Sequence, residues 1–362
     1  MQGSEPFLAH PALSRYNSAK RNAHPRLSSA FPVVKGSFRI VDNKRSKFIG
    51  CLVGVAVGDS LGARRKGATG INDDVADLSP RYTDDTAMTI GVGESLVDQK
   101  EFHYWHMAGR LIRNYEQEPW RRYGNTVTSV FRMMRHGRLG FGMLDRDICP
   151  DGSPGSGGAV RIAPVGLLYH DDPRTLREIA HHCASITHSH DLALEGAVLQ
   201  ACAVALAVLA DNGHVIPSEY LGTLRMFTKS EPYQEKLKTI VHFIREGADR
   251  RTVVEQLGTG GGALSTVPTA IYAFLANRDF KSALLFAVSL GGDAEAVGSM
   301  TGAIAGACYG LEGIPSQWRE TVENRGQIEQ LGTALWDVKA GSGNGSGSHD
   351  GNTPEPGEEP SS

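Results

Sequence analysis

Between Lys47 and Trp336, apolar residues return every three or four positions in stretch after stretch, while alternating runs closed by tight hairpin turns are scarce. That period keeps one stripe of an α-helix facing inward. It predicts helices over Lys47–Gly62, Asp85–Asp98, Tyr104–Gln117, Asn125–His136, Gly158–Tyr169, Pro173–Ile186, Asp191–Asp211, Pro217–Thr228, Tyr233–Glu246, Arg251–Leu257, Val267–Ala276, Phe280–Leu290, Glu295–Tyr309 and Gln327–Asp337. About fourteen helices imply an all-α fold, a single-domain orthogonal helical bundle.

Two of these helices are rich in small residues: GCLVGVAVGDSLGA (Gly50 to Ala63) and GSMTGAIAGACYG (Gly298 to Gly310). Glycine costs about 1 kcal/mol against alanine in an exposed helix. Its recurrence at helical spacing therefore predicts close approach by another helix. The longest apolar run, Ala197 to Ala210, is broken by Gln200 and falls short of the roughly 18 residues that a membrane span requires. No membrane partner is expected.

With 362 residues and 40% hydrophobic content, the chain has enough apolar positions for one large core over residues 46–340. Residues 1–45 carry eight Lys and Arg against Glu5 and Asp42, a composition shared by disordered arms and organelle transit segments. Pro6, Pro11 and Pro25 break any amphipathic helix there, which favours a disordered arm over mitochondrial targeting. Residues 341–362 offer almost no apolar surface to offset their ordering entropy and read as a disordered tail.

A net charge of -3 leaves no basic stripe to neutralise a phosphate backbone, which argues against nucleic acid as a direct partner. Cys51, Cys149, Cys183, Cys202 and Cys308 are odd in number and contain no C-x-x-C pair. Reduced thiols in a cytoplasmic or nuclear monomer are expected, rather than a disulfide frame or a zinc site.

Candidate chemistry lies in three segments and one histidine. In Tyr82-Thr83-Asp84-Asp85-Thr86, at a loop-to-helix junction, a hydroxyl and two carboxylates offer hard oxygen ligands for Mg²⁺. The same residue types are ordinary helix N-caps. Gly291-Gly292-Asp293-Ala294-Glu295 forms a second acidic helix start. Two such starts are harder to explain as capping twice over, and they fit a cation site between helices. The Gly-rich loop Asp151 to Arg161 feeds a further helix and suits a phosphate or pyrophosphate, although a plain turn has the same composition. His188 precedes another helix, where a capping role competes with a ligand role.

Taken in order, GCLVGVAVGDSLGA, YTDDTAM, GSGGAVRIAPVGLLY, THSHDLALEGAVLQA, STVPTAIYAFL and SLGGDAEAVGSMTGAIAGACYG resemble the ADP-ribosylglycohydrolase family over nearly the whole body. Among the vertebrate branches, the chain looks most similar to the one acting on O-acetyl-ADP-ribose, poly(ADP-ribose) and serine-linked ADP-ribose. The resemblance implies two Mg²⁺ ions between helices, with Thr83, Asp84, Asp85, Asp293 and Glu295 as metal ligands. It places Ser153, Pro154, Gly155, Ser156 and His188 against the pyrophosphate, and it makes Asp84 and Asp85 the best catalytic candidates.

The sequence departs from the family pattern at three places. Glu295 stands where the family has Asp, and Ala296 replaces the Thr that follows, which puts the second ion in doubt. The usual catalytic Glu after Gly58-Asp59-Ser60-Leu61-Gly62 is replaced near Lys66, a cation unsuited to base catalysis at neutral pH. Asp73 and Asp74 are the nearby substitutes. Two functions follow from the resemblance. One is Mg²⁺-dependent hydrolysis of an ADP-ribosyl bond in O-acetyl-ADP-ribose, ADP-ribosylated protein or poly(ADP-ribose). The other is a catalytically inactive relative with a structural, crystallin-like role or an ADP-ribose-binding role.

Overall fold

In the computed structural model, residues 43–65, 79, 81–138, 140 and 142–343 are described, and they fold as α-helices with no strand among them. In chain order these are α1 (Lys44–Arg65), α2 (Asp84–Gln99), α3 (Tyr104–Gln117), α4 (Asn125–Arg135), α5 (Gly157–Val160) and α6 (Ala163–Leu168). Next come α7 (Pro173–Ala184), α8 (Asp191–Leu209), α9 (Pro217–Phe227), α10 (Glu231–Glu246) and α11 (Arg250–Gln256). The last are α12 (Ala263–Leu275), α13 (Phe280–Ser289), α14 (Ala294–Tyr309), α15 (Ser316–Thr321) and α16 (Arg325–Gly343). The architecture is the expected all-α orthogonal bundle.

At its centre α1 and α14 run antiparallel with their backbones in contact. A Cβ added to Gly50, Gly54, Gly58 or Gly62 would fall under 3.0 Å from backbone atoms of Gly306, Gly302, Gly298 or Ala294 respectively. Residues four apart lie on one helix face, so each helix turns a strip of bare backbone toward the other. This is the close approach that the small-residue runs imply. Around the pair pack α8, α12, α13 and α16, burying Phe48, Val53, Val57, Val204, Ile271, Met300 and Ile304 completely. Lys47 joins α1 to the C-terminal end of α8, donating to the carbonyls of Val208 (2.9 Å) and Ala210. A cation there complements the negative end of the helix dipole.

Several expectations need correction. The helix expected over Gly158–Tyr169 is broken into α5 and α6. Pro164 has no N–H to return to the Val160 carbonyl, and the nearby Thr89 hydroxyl, 3.3 Å away, gives its one proton chiefly to Asp85 O at 2.8 Å. α12 starts at Ala263 rather than Val267 and carries Pro268 inside it. α15 was not foreseen, being a short helix behind Pro315. α1 begins at Lys44 and α16 ends at Gly343, so they take in the edges of the segments assigned as arm and tail. Lys44–Arg65 and Asp191–Leu209 are both long and apolar enough to cross a membrane, and in the fold that apolar surface is spent on the core, 89% and 78% of it buried. All five cysteines are free thiols.

Candidate active site

The α1/α14 zipper fixes the relative positions of the acidic groups. Gly62 meets the backbone of Ala294 and Glu295, so the C-terminal part of α1 lies against the start of α14. Asp59 projects from α1 one residue after Gly58 and is fully buried. Its Oδ2 accepts from Thr83 N (2.9 Å), Thr86 N (3.1 Å) and Thr86 Oγ1 (2.6 Å), and its Oδ1 from Thr83 Oγ1 (2.7 Å). One carboxylate thereby holds the whole start of α2. Burial pushes the Asp59 carboxyl up to about 6 in spite of these hydrogen bonds.

From the other side, the Arg121 carbonyl accepts from Asp84 N at 2.7 Å. The Arg121 guanidinium lies 3.8 Å over the Tyr82 ring and pairs with Glu118 and Glu323. Thr83 caps α2, its Oγ1 accepting from Asp85 N at 3.4 Å, and Asp293 caps α14, accepting from Ala296 N at 3.5 Å. Capping is therefore real at both acidic starts, and the two starts lie near enough for the carboxylates of one to feel the charges of the other. Burial raises the Asp84 and Asp85 carboxyls well above the usual range, and the negative charges of Asp59, Asp293 and Glu295 raise them further. Tyr123 Oη is buried beside the Asp84 charge with no hydrogen-bond partner among the described residues. Glu295 forms an ion pair with Arg122. Among the described residues no three His, Cys, Asp or Glu side chains are gathered closely enough to hold an ion as they stand.

The Gly-rich loop is tied to this acidic region by backbone. Ser156 N donates to Gly261 O (3.1 Å), Ala263 N donates to Pro154 O (3.0 Å), and Asp293 N donates to Thr259 O (2.7 Å). Residues 259–263 thus bridge the loop and the start of α14. A Cβ on Gly261 would stand 3.4 Å from Asp293 Oδ2. The loop is also anchored from below by Asp145, whose Oδ2 accepts from Ser153 N (2.7 Å) and Ser189 N (2.8 Å). Ser153, Pro154, Gly155 and Ser156 therefore stand where expected, but the N–H groups of Ser153 and Ser156 are used to hold the loop. The N–H groups of Gly157 and Gly158, in the first turn of α5, have no acceptor among the described residues.

His188 is buried against this loop, and a Cβ on Gly155 or Gly157 would lie 3.4 or 3.3 Å from its Nε2. The capping role belongs to His190 instead, whose Nδ1 accepts from Leu192 N at 3.1 Å. Arg161, fully buried at the α5/α6 break, donates to Thr187 Oγ1 (2.8 Å) and to Cys183 O (2.7 Å). Thr187 Oγ1 in turn lies 2.8 Å from His188 Nδ1. Arginine can only donate, so Thr187 accepts from it, and His188 Nδ1 is the one other polar atom placed to take the Thr187 hydroxyl proton among the described residues. On this hydrogen-bond assignment the His188 proton sits on Nε2, the nitrogen facing the loop. Burial, together with the Arg161 charge, pushes the imidazole down to about 3, so it is a neutral donor.

Sequence reasoning missed Asp59, Arg122, Asp145, Arg161 and Thr187 as members of this site. Asp59 did leave a signal, a lone carboxylate within the apolar run GVAVGDSLGA, where a buried charge needs partners. Lys66, Asp73 and Asp74 lie outside the described residues.

The sequence profile of the ADP-ribosylglycohydrolase family matches residues 41–345. The chain is 32% identical to the ADP-ribosylhydrolase ARH3 of Bos taurus, over 80% of this chain and 92% of that one. It is 31% identical to ADP-ribosylhydrolase ARH3 of Homo sapiens, over 80% and 93%. At 26% identity it also matches the ADP-ribosylarginine hydrolase Tri1 of Pseudomonas putida, over 80% and 77%. A solved structure described as an ADP-ribosylglycohydrolase-related protein complex superposes with a TM-score of 0.66 at 27% identity, covering 83% of this chain and all of the other. By profile, relatives and fold, the chain belongs to the ADP-ribosylglycohydrolase family.

Proposed function

We propose that this protein hydrolyses an ADP-ribosyl bond with the help of magnesium, acting on O-acetyl-ADP-ribose, an ADP-ribosylated protein or poly(ADP-ribose). The observation that carries this reading is the bridge formed by residues 259–263, which ties the Gly-rich loop to the acidic start of α14, whose charges in turn reach Asp84 and Asp85 at the start of α2. A pyrophosphate and its adjoining ribose need those two surfaces side by side.

The donor set fits a hard divalent cation in its chemistry. All the available atoms are carboxylate or hydroxyl oxygens, the buried negative charges of Asp84 and Asp85 exceed the positive charge near them, and Tyr123 Oη is orphaned alongside. Thr83, Asp84, Asp85 and Asp293 would hold it, their side chains moving together to do so, since they are not gathered around an ion as they stand. When bound, such an ion polarises sugar oxygens and lowers the proton affinity of water.

The protein's own residues do the rest. Gly157 and Gly158 offer N–H groups, and His188 offers Nε2–H, to the pyrophosphate oxygens. Asp145 keeps that loop open by holding Ser153 and Ser189. Asp59 fixes the backbone at the start of α2, from which Asp84 and Asp85 project. A carboxylate at this position can take the proton of the attacking water and return it to the departing acceptor oxygen. Asp84, half-buried at the edge of the site, is the candidate for that exchange.

A second reading, an ADP-ribose binder without turnover, draws support from the Arg122 guanidinium seated on Glu295. Isothermal titration with ADP-ribose, with and without Mg²⁺, followed by hydrolysis of O-acetyl-ADP-ribose, separates the two. Hydrolysis expects Mg²⁺-dependent binding with turnover, both lost in Asp84→Ala. Binding without turnover selects the second reading, and absence of binding overturns both.

A further inference from the structure

Arg121 and Arg161 are the two arginines buried among the described residues, and they differ in what answers their charge. Arg121 is paired with the carboxylates of Glu118 and Glu323. Arg161 has no acid against it. Its guanidinium donates to Thr187 Oγ1 (2.8 Å), Cys183 O (2.7 Å) and Ala184 O (3.3 Å) and lies 3.9 Å from Met88 Sδ, all neutral groups. Its Nε–H has no acceptor among the described residues. A guanidinium keeps its charge, and a buried charge without a counter-ion is among the most costly groups a fold can hold. The carbonyl end of α7, on which Arg161 sits, supplies only about half an elementary charge. The rest is unanswered within the protein.

Beside this charge lies the Gly-rich loop. Arg161 closes α5, so Gly157 and Gly158 stand one turn away, roughly 5 Å along the axis. Gly158 rests on Ala184, whose carbonyl Arg161 holds: a Cβ on Gly158 would be 2.9 Å from the Ala184 Cβ. On the other flank, contacts run from Arg161 through Thr187 Oγ1 to His188 Nδ1, and His188 Nε2 faces Gly155 and Gly157. Burial, and after it the Arg161 charge, keep the imidazole neutral, so the cation behind the loop is Arg161 rather than His188.

We propose that Arg161 is a positioning residue for the substrate anion, its unanswered charge being completed by the pyrophosphate on the Gly-rich loop, across one turn of α5 and the His188 ring. The inference rests on the pyrophosphate reading of that loop given above and adds the source of the attraction. Arg161 touches no substrate atom. Its charge acts through a buried path, which salt screens far less than it screens a surface cation. An arginine that only capped α7 would leave anion affinity untouched in any variant that folds.

The test is calorimetric titration of the full chain with inorganic pyrophosphate and with ADP-ribose, folding being checked by circular dichroism and thermal midpoint. Arg161→Gln keeps a donor for the α7 carbonyls but no charge. It should lose roughly tenfold or more in affinity for both probes, by the same factor at low salt and at about 0.5 M NaCl. Arg161→Lys restores the charge and should recover most of the wild-type affinity. In the wild type, the Arg161 Nε–H resonance should move when pyrophosphate is added and stay in place when adenosine is added, a reading that needs no substituted protein. Unchanged affinity in a folded Arg161→Gln, a loss that disappears at high salt, equal losses in both variants, or a resonance that pyrophosphate leaves in place overturns the inference while the loop keeps its anion. If the wild type binds neither probe, the reading of the loop fails and this inference fails with it.

Discussion

A Cβ placed on Gly58 would lie under 3.0 Å from the backbone of Gly298, and one placed on Gly298 would meet the backbone of Gly58 in the same way. The contact is between main chains, so no side-chain rotation can make room. It is the third of four such contacts along α1, and the next residue, Asp59, carries the carboxylate that fixes the start of α2. Helix packing and site geometry are thus set by one relationship, and a shift that opened Gly58 from Gly298 would also move Asp59 away from Thr83 and Thr86.

Gly58→Ala should therefore cost more than the usual range for an overpacked core, about 3 kcal/mol or above. Gly109, inside α3 with nothing within 4 Å of an added Cβ, supplies the contrast. Gly109→Ala should stabilise by roughly 0.5–1 kcal/mol through helix propensity and the lost freedom of the unfolded chain. Chemical denaturation of both variants checks the pair. A Gly58→Ala protein within about 1 kcal/mol of wild type would mean that the two helices are not in backbone contact.

Asp145 contributes no atom to the acidic helix starts, yet it holds Ser153 N and Ser189 N together with a single oxygen. Asp145→Ala should free both loops and weaken ADP-ribose binding by roughly tenfold or more, the loss expected when charge-assisted hydrogen bonds go unmade. Calorimetric titration of ADP-ribose and of Mn²⁺ should show the first affinity reduced and the second retained. Equal loss of both would place Asp145 in the support of the whole site rather than of the anion loop.

Much of this was legible in the order of residues. The ends of α3 follow from its apolar stripe, and the glycines of α1 and α14 announce close packing before any partner is known. The residues that escaped notice act through contacts distant in sequence. Nothing near Asp59 says that its four donors come from Thr83 and Thr86, because the partnership exists only once α1 and α2 are packed. The break at Arg161 escaped for a related reason. Its helical period continues through Pro164, and only the fold shows the chain turning there, with Arg161 buried at the break. The family resemblance likewise set Ser153 to Ser156 against the pyrophosphate, whereas Asp145 and Gly261 claim the N–H groups of Ser153 and Ser156.

Thr187 decides which nitrogen of His188 carries the proton, so Thr187→Val should remove the preference while preserving shape. Long-range nitrogen–proton NMR of the imidazole should show the Nε2–H form in the wild type and in Thr187→Ser, and a mixture of tautomers in Thr187→Val. ADP-ribose affinity should follow the tautomer, falling only in the valine variant. A wild-type signal from the Nδ1–H form would contradict the hydrogen-bond assignment that runs from Arg161 through Thr187.

The same imidazole makes stability depend on pH with a defined sign. In the fold it stays neutral down to about pH 3, whereas in the unfolded chain it takes up its proton near 6.5. Between those values the unfolded chain binds more protons, so acidification lowers stability by up to about 1.4 kcal/mol per pH unit from this group. Above pH 6.5 it contributes no slope, because both states are neutral. Asp59, Asp84 and Asp85 act in the opposite sense, since carboxyls held above their ordinary range are protonated first in the folded state and stabilise it as pH falls. The measurement must therefore be a difference: unfolding free energies of wild type and His188→Gln from pH 8 to pH 4. That difference should be flat from pH 8 to 7 and then move steadily against the wild type below pH 6. A difference that stays flat to pH 4 would show that His188 protonates in the fold as readily as in the open chain, which its burial beside Arg161 forbids.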